Sequence, residues 1–230
     1  SDLPNNPAAV RKAGAALARL YEGERSWPEL RAALRRQAEW AEDAGERRAL
    51  LARVAGLEED QLADRPAAIA TWRDVLAEQP ADGGALDALE RLYHGAESWR
   101  ELIDVLRRKL DHADPAGARA LLARIAEIHE VMLEEPDEAI AAHLEIVDRD
   151  AGDRAALGEL GRLYRDAGRH ADLLDVLERQ AELDGVAERH VEIARLLAGP
   201  LARPHDALER WRTVLAIEPQ HPAAIAAVEA

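Results

Sequence analysis

The chain repeats itself, and that constrains its fold more than any other feature. Leu20-Tyr21 returns as Leu92-Tyr93 and again as Leu163-Tyr164, at separations of 72 and 71 residues. Each pair is followed by a matching segment: Trp27-Pro28-Glu29-Leu30, then Trp99-Arg100-Glu101-Leu102, then His170-Ala171-Asp172-Leu173, closed by Leu34, Leu106 and Leu177. A second kind of unit lies between them. Ala49-Leu50-Leu51-Ala52-Arg53-Val54-Ala55 matches Ala120-Leu121-Leu122-Ala123-Arg124-Ile125-Ala126, with Glu192-Ile193-Ala194-Arg195-Leu196 as the weaker third copy. The period is therefore two alternating units of about 35 residues, the size of one supersecondary element that must stack on its neighbours to bury its apolar face.

Each unit reads as two helices. Ala68-Ile69, Trp72 and Val75-Leu76 recur as Ala139-Ile140, His143 and Ile146-Val147, then as Ala207-Leu208, Trp211 and Val214-Leu215. Steps of three and four place them on one helical face, and the positions between are mostly Arg, Glu, Asp and Ala. With 49 Ala, 32 Leu and no Phe, the composition favours helix throughout. Ser26 and Ser98, each followed three residues on by Glu29 and Glu101, read as capping boxes, and Pro66, Pro136 and Pro204 suit a first turn. Pro80, Pro219, Gly83-Gly84 and Gly152 mark connections. The expected helices span 8–22, 27–43, 46–62, 66–78, 83–95, 99–112, 116–133, 137–149, 154–167, 170–183, 187–198, 205–217 and 222–230. The expected fold is an all-α solenoid of six helix pairs plus a partial seventh, one array over 1–230, with Leu20, Leu92, Leu163, Trp72 and Trp211 buried in equivalent places. Ser1-Asp2-Leu3-Pro4 lacks an initiator Met, and the segment from Pro219 to Ile225 repeats Pro80 to Leu86 and then stops. A fragment of a longer protein, continuing past Ala230, is expected.

The units resemble the tetratricopeptide repeat across essentially the whole chain. The run from Asp64 to Pro80 looks like that family's second helix, and Leu17, Ala18 and Tyr21, with Leu89, Glu90 and Tyr93 and then Leu160, Gly161 and Tyr164, look like its first-helix signature. Leu30, Leu102 and Leu173 depart from it by replacing a small second-helix residue, as does Glu90 in the first helix. The resemblance implies a right-handed superhelix whose first helices line a concave groove for an extended or helical peptide. It does not extend to the carboxylate clamp of chaperone co-factors, because Ala15, Ala52 and Ala123 stand where that clamp has Lys, and Arg19 and Arg91 where it has Asn.

Charge and composition exclude much of the chemistry. Forty-five acidic against 30 basic residues give a net charge of −15, which repels phosphate backbones. Without Cys there is no disulfide, thiolate metal site or thiol nucleophile. No apolar run approaches a membrane span. His94, His112, His129, His143, His170, His190, His205 and His221 form no metal-ligand pattern, no Gly-rich phosphate loop is present, and carboxylates this abundant pair by chance. No enzyme activity, cofactor or metal is expected. Trp27, Trp72, Trp99 and Trp211 occupy repeat-equivalent apolar positions and read as core, as does Met132. Trp40 breaks the pattern and reads as an exposed interface aromatic. Arg outnumbers Lys 28 to 2, a base-composition trait of GC-rich bacterial genomes.

Arginine is the recurrent polar signal. Arg19, Arg91 and Arg162 each precede a signature Tyr by two residues, and Arg53, Arg124 and Arg195 recur in the alternate first helices. The family places Ala49, Ala52, Ala120, Ala123, Ala155, Gly158 and Ala194 inward beside them. The six arginines are therefore groove candidates for a partner protein or peptide, an acidic one included, since guanidinium groups fork onto carboxylates. The competing reading has each Arg bridging to an acidic residue of the next unit. Together these features point to a non-catalytic cytoplasmic scaffold, with the periplasm as the alternative compartment. Other readings are a spacer or rod self-associating through its terminal repeats, or an accessory module of a larger enzyme such as a kinase.

Overall fold

The computed structural model describes residues 7–229, with side chains from Arg11 onward; the reading of Ser1-Asp2-Leu3-Pro4 and of the chain past Ala230 lies outside them. Among the described residues there are thirteen α-helices and no strand, which puts the chain in the all-α class. The chain parts into two compact units, residues 1–114 and 115–230. The first holds α1 (Pro7–Glu24), α2 (Trp27–Trp40), α3 (Ala44–Asp60), α4 (Arg65–Glu78), α5 (Gly83–Gly95) and α6 (Trp99–Leu110). The second holds α7 (Pro115–Glu127), which widens into a π-helical turn over Ile128–Met132, then α8 (Pro136–Arg149), α9 (Arg154–Asp166), α10 (His170–Asp184), α11 (Ala187–Ala198), α12 (Pro204–Ile217) and α13 (Pro222–Glu229). Within each unit the extensively packed helices are sequence neighbours, as stacking requires.

Helix starts follow two chemistries. Asp43, Asp64, Asp82 and Asp153 accept from the backbone N–H of Glu46, Ala67, Ala85 and Ala156, satisfying an orphan donor of the first turn. Ser26 and Ser98 do hold the cap positions of α2 and α6, but neither hydroxyl makes a capping bond, so the capping boxes read from the sequence are absent. The turns before these helices share one geometry. Arg25, Glu97 and Gly168 sit in the left-handed region at φ 56°, 54° and 66°, and the N–H groups of Ser26, Ser98 and Arg169 then close onto the carbonyls of Tyr21, Tyr93 and Tyr164 at 2.9 Å.

The alternate turns are built differently. Ala63, Glu134 and Ala202 are left-handed at φ 51°, 55° and 49°, and Asp64, Glu135 and Arg203 donate to Glu58, His129 and Leu197 at 2.7 Å, one residue further back than in the other class. The 71-residue period is thus written into the backbone as two alternating turn types.

The core follows the repeated apolar positions with instructive exceptions. Leu92, Leu163 and Trp211 are buried, while Trp27, Trp72 and Trp99 are half-buried. Leu20 is 52% exposed, contrary to expectation, because no helix precedes α1 among the described residues to cover its outer face. Met132, expected in the core, is 47% exposed: the wide π turn rotates it and Val131 outward. Trp40 is exposed as expected. His143 takes the place of Trp72 and Trp211 and is buried, with its Nδ1 unpartnered.

Candidate interaction surface

The first helices present the recurrent arginines. On α3, α7 and α9, Ala49 and Arg53, Ala120 and Arg124, and Ala155, Gly158 and Arg162 share a face by helical spacing. Ala49, Ala120, Ala155 and Gly158 are exposed and Ala52 and Ala123 half-buried, so this face carries little bulk. Ala194 departs from the pattern: it is fully buried in a cluster with Val191, Trp211, Val214 and Ala224.

Arg53, Arg91 and Arg162 are bridged to carboxylates of the preceding repeat. In the first unit Arg53 of α3 donates to Glu22 of α1 at 3.3 Å, and Arg91 of α5 forks onto Glu59 of α3, with one arm at 3.0 Å. In the second, Arg162 of α9 reaches Glu130 in the π turn at 2.7 Å and also contacts Glu159 and Asp166 on its own helix. Arg165 of α9 pairs with Glu192 of α11. Glu59 to Glu130 and Arg91 to Arg162 are both steps of 71, so the second and third bridges are one contact repeated. The Arg162 guanidinium holds the Glu130 carboxyl below its ordinary value, and Glu130 and Glu159 in turn raise the arginine. Arg91 is 62% exposed and Glu59 20%, so bridges of this kind contribute about 0–1 kcal/mol each in water. Arg19 and Arg195 are exposed on α1 and α11, and Arg124 is half-buried and engaged. Beside the first bridge lies a recess of about 250 Å³ lined by Glu22, Arg53, Gly56 and Asp60.

Sequence reasoning found the arginines but not their partners. The signal was available: Glu59 and Glu130 lie 32 residues before Arg91 and Arg162, and Glu22 lies 31 before Arg53.

A second polar feature ties the helices of the first unit together. Glu58 of α3 is fully buried and accepts from the Thr71 hydroxyl of α4 at 2.6 Å and from Arg35 of α2 at 3.1 Å, while Arg35 also donates to Thr71. Three helices meet on one carboxylate, each charge and hydroxyl satisfied, as burial demands. At the corresponding places in the second unit the polarity is reversed: Glu178 of α10 stands for Arg35, Arg210 of α12 for Thr71, and they pair at 2.8 Å. Asp153 both caps α9 and binds Arg119 of α7, which holds its carboxyl below the ordinary range.

Among the described residues no group of His, Asp or Glu has the arrangement of a metal site, and no helix is long and apolar enough to cross a membrane. A family model of the tetratricopeptide repeat matches residues 85–120 and 156–197. No curated protein matches the sequence. Among solved structures, the chain is similar to YrrB, described as a tetratricopeptide-repeat protein with an unusual peptide-binding site, at 20% identity over 79% of this chain and 91% of that one, TM-score 0.38. It is similar to a tetratricopeptide-repeat protein from Parabacteroides merdae at 11% identity, 90% and 80% coverage and TM-score 0.43. It is similar also to pilF of Pseudomonas aeruginosa at 15% identity, 94% and 95% coverage and TM-score 0.37.

Proposed function

We propose, for a chain whose residues 85–120 and 156–197 are tetratricopeptide repeats, that it is a non-catalytic scaffold holding a partner protein or peptide along its first-helix face. The repeat fold is that of protein-interaction scaffolds; the face and the partner's chemistry are our reading. The observation that carries it is the recurrence of an exposed small-residue face beside an ion-paired arginine, Arg53 with Glu22 on α3 and Arg162 with Glu130 on α9. Small side chains leave room for a backbone to approach. The arginines, 52% exposed at Arg53, 62% at Arg91 and 42% at Arg162, can exchange an intramolecular carboxylate for one brought by an acidic segment, at little net cost because an exposed bridge is weak. The −15 background repels acidic segments elsewhere, so charge alone would confine them to this track.

The test replaces Arg91 and Arg162 by Ala and follows two quantities, the midpoint of thermal unfolding and the affinity for acidic peptides selected on the wild-type chain. Affinity reduced about tenfold per arginine, with the midpoint little changed, supports the reading, since a charge-assisted bond contributes about 1.5–3 kcal/mol. Unchanged affinity with a lowered midpoint would mean that the arginines only tie successive repeats together.

A further inference from the structure

The turns into α6 and α10 are alike in backbone and differ in one side chain. Ser98 and Arg169 stand before these helices at φ −83°, ψ 72° and φ −82°, ψ 70°. Their N–H groups close alike on the carbonyls of Tyr93 and Tyr164 at 2.9 Å. A side chain at either place therefore leaves the backbone in the same direction. At Arg169 it returns across the tyrosine: the guanidinium carbon lies 4.8 Å from the Tyr164 ring centroid, and Nε donates to Asp172 at 2.8 Å. A planar cation on a ring face, with a carboxylate at its edge, combines two ways in which proteins hold a guanidinium.

One period earlier the tyrosine and the carboxylates facing it recur without the cation. Tyr93 stands for Tyr164, Glu101 for Asp172, Asp104 for Asp175 and Ser98 for Arg169, all at steps of 71. A more distant carboxylate, Asp137 at 3.5 Å from Arg169, has Pro66 in its place. Burial raises the Tyr93 phenol above its ordinary value, and Glu101 and Asp104 add to the rise against Arg73 and Arg108. Burial, Asp172 and Asp175 do the same at Tyr164, against Arg169. Tyr93, Glu101 and Asp104 line a recess of about 580 Å³ walled by α4, α5 and α6, in the interior of the first unit. Among the described residues neither carboxylate makes an ion pair or a hydrogen bond. Arg73 and Arg108 line the same recess, yet neither pairs with these carboxylates or stacks on Tyr93. Arg108 has a counterpart, Arg179, at the filled site, whereas Arg73 stands where α8 has Leu144. Tyr93 is 8% exposed and the covered Tyr164 4%.

We propose that the Tyr93 recess is a binding site for an arginine side chain of a partner polypeptide, whose guanidinium takes the place that Arg169 fills at Tyr164. Glu101 and Asp104 supply the carboxylates and the Tyr93 ring the stacking face. The net charge of −15 favours the approach of a cationic segment. Arg73 opposes the bound cation and keeps the contact weak. The site uses none of the six recurrent first-helix arginines, so it stands independently of the acidic-segment reading.

The probe is Nα-acetylarginine amide, charged only at its guanidinium, titrated into the 230-residue chain while NMR follows the tyrosine ring signals. Saturable movement of Tyr93 is expected, with half-saturation on the order of 10 mM, because a cation–π contact and an exposed ion pair are each weak. Tyr164 should not move, and the neutral citrulline amide should move neither ring. Glu101→Gln should weaken binding about threefold, the size of an exposed ion pair, and Arg73→Leu should tighten it by a similar factor. Ser98→Arg should close Tyr93 to the probe, and Arg169→Ser should open Tyr164. All four positions are exposed or half-buried, and circular dichroism checks the fold. A Tyr93 ring indifferent to the probe overturns the proposal, as does equal movement of Tyr93 and Tyr164, binding unchanged by Glu101→Gln, or citrulline amide binding as well as arginine amide. Free arginine binding more than about tenfold tighter than the blocked amide would make the ligand a small molecule and overturn the polypeptide as occupant.

Discussion

Helices α1 and α5 are written in the same letters and end in different surroundings. Leu17, Leu20 and Tyr21 in one are Leu89, Leu92 and Tyr93 in the other, in the same frame of Leu-x-Arg-Leu-Tyr. Leu89 and Leu92 are 1% and 4% exposed, whereas Leu17 and Leu20 are 47% and 52% exposed. The side chains and their helix are alike; the difference is α4, which packs on α5 and has no counterpart before α1 among the described residues. In a stacked repeat, burial is a property of the neighbour as much as of the residue, and a residue's worth cannot be assigned from its own helix.

The strongest way to break the comparison is to delete the same atoms from both. Leu89→Ala should lower the unfolding free energy by about 2–5 kcal/mol, because the side chain is fully enclosed and leaves a cavity. Leu17→Ala should cost within about 0.5 kcal/mol in dilute urea titrations. Equal costs would mean that α1 is covered in solution.

Position and surroundings separate again at the polar network. Glu58→Ala strips the enclosed partner from the Thr71 hydroxyl and Arg35, and should cost about 1–3 kcal/mol. Glu178→Ala removes the side chain at Arg35's counterpart from a bridge whose members are 27% and 43% exposed, and about 1 kcal/mol or less is expected by the same titration.

The turns offer a subtler contrast. Gly168 carries the left-handed conformation freely, while Glu97 adopts it at the same place with a side chain attached. Gly168→Ala should lose about 1 kcal/mol and Glu97→Gly gain about 0.5–1, read as opposite shifts of the thermal midpoint. Shifts of the same sign would show that the turn hydrogen bonds outweigh the backbone preference.

The narrowest effect is confined to a pH window. Burial lowers the His143 imidazole below its ordinary value, against the opposing pull of Glu159, Glu130 and Asp153 and with help from Arg162. Between the unfolded value of about 6.5 and the lower folded one, the unfolded chain binds more protons, so stability falls as pH falls through that interval. His143→Gln should flatten the slope between pH 7 and 5 in urea titrations, and an unchanged slope would place the titration elsewhere.

How far the sequence reached follows from which interactions are local. Helix positions were legible to within about three residues, because periodicity and punctuation are local signals. The turn geometry was not: nothing in Arg25, Ala63, Glu97, Glu134 or Ala202 as residue types announces a left-handed conformation, which packing of the flanking helices imposes. The arginines were legible by recurrence, while their carboxylates were hidden in a background of 45 acidic residues. Met132 came out exposed because a π turn has no sequence signature of its own.

The alternation of the two turn types bears on how such a gene can change length. One class of turn closes a residue further back than the other, and the Glu59 to Arg91 and Glu130 to Arg162 bridges recur only every 71 residues. Recombination that adds or drops a single helix pair would set two like turns in succession and break the 71-residue spacing of these two bridges. A crossover between equivalent points two pairs apart preserves both. Descendants of this sequence should therefore lengthen and shorten in doublets, with the doublet, not the helix pair, as the heritable module.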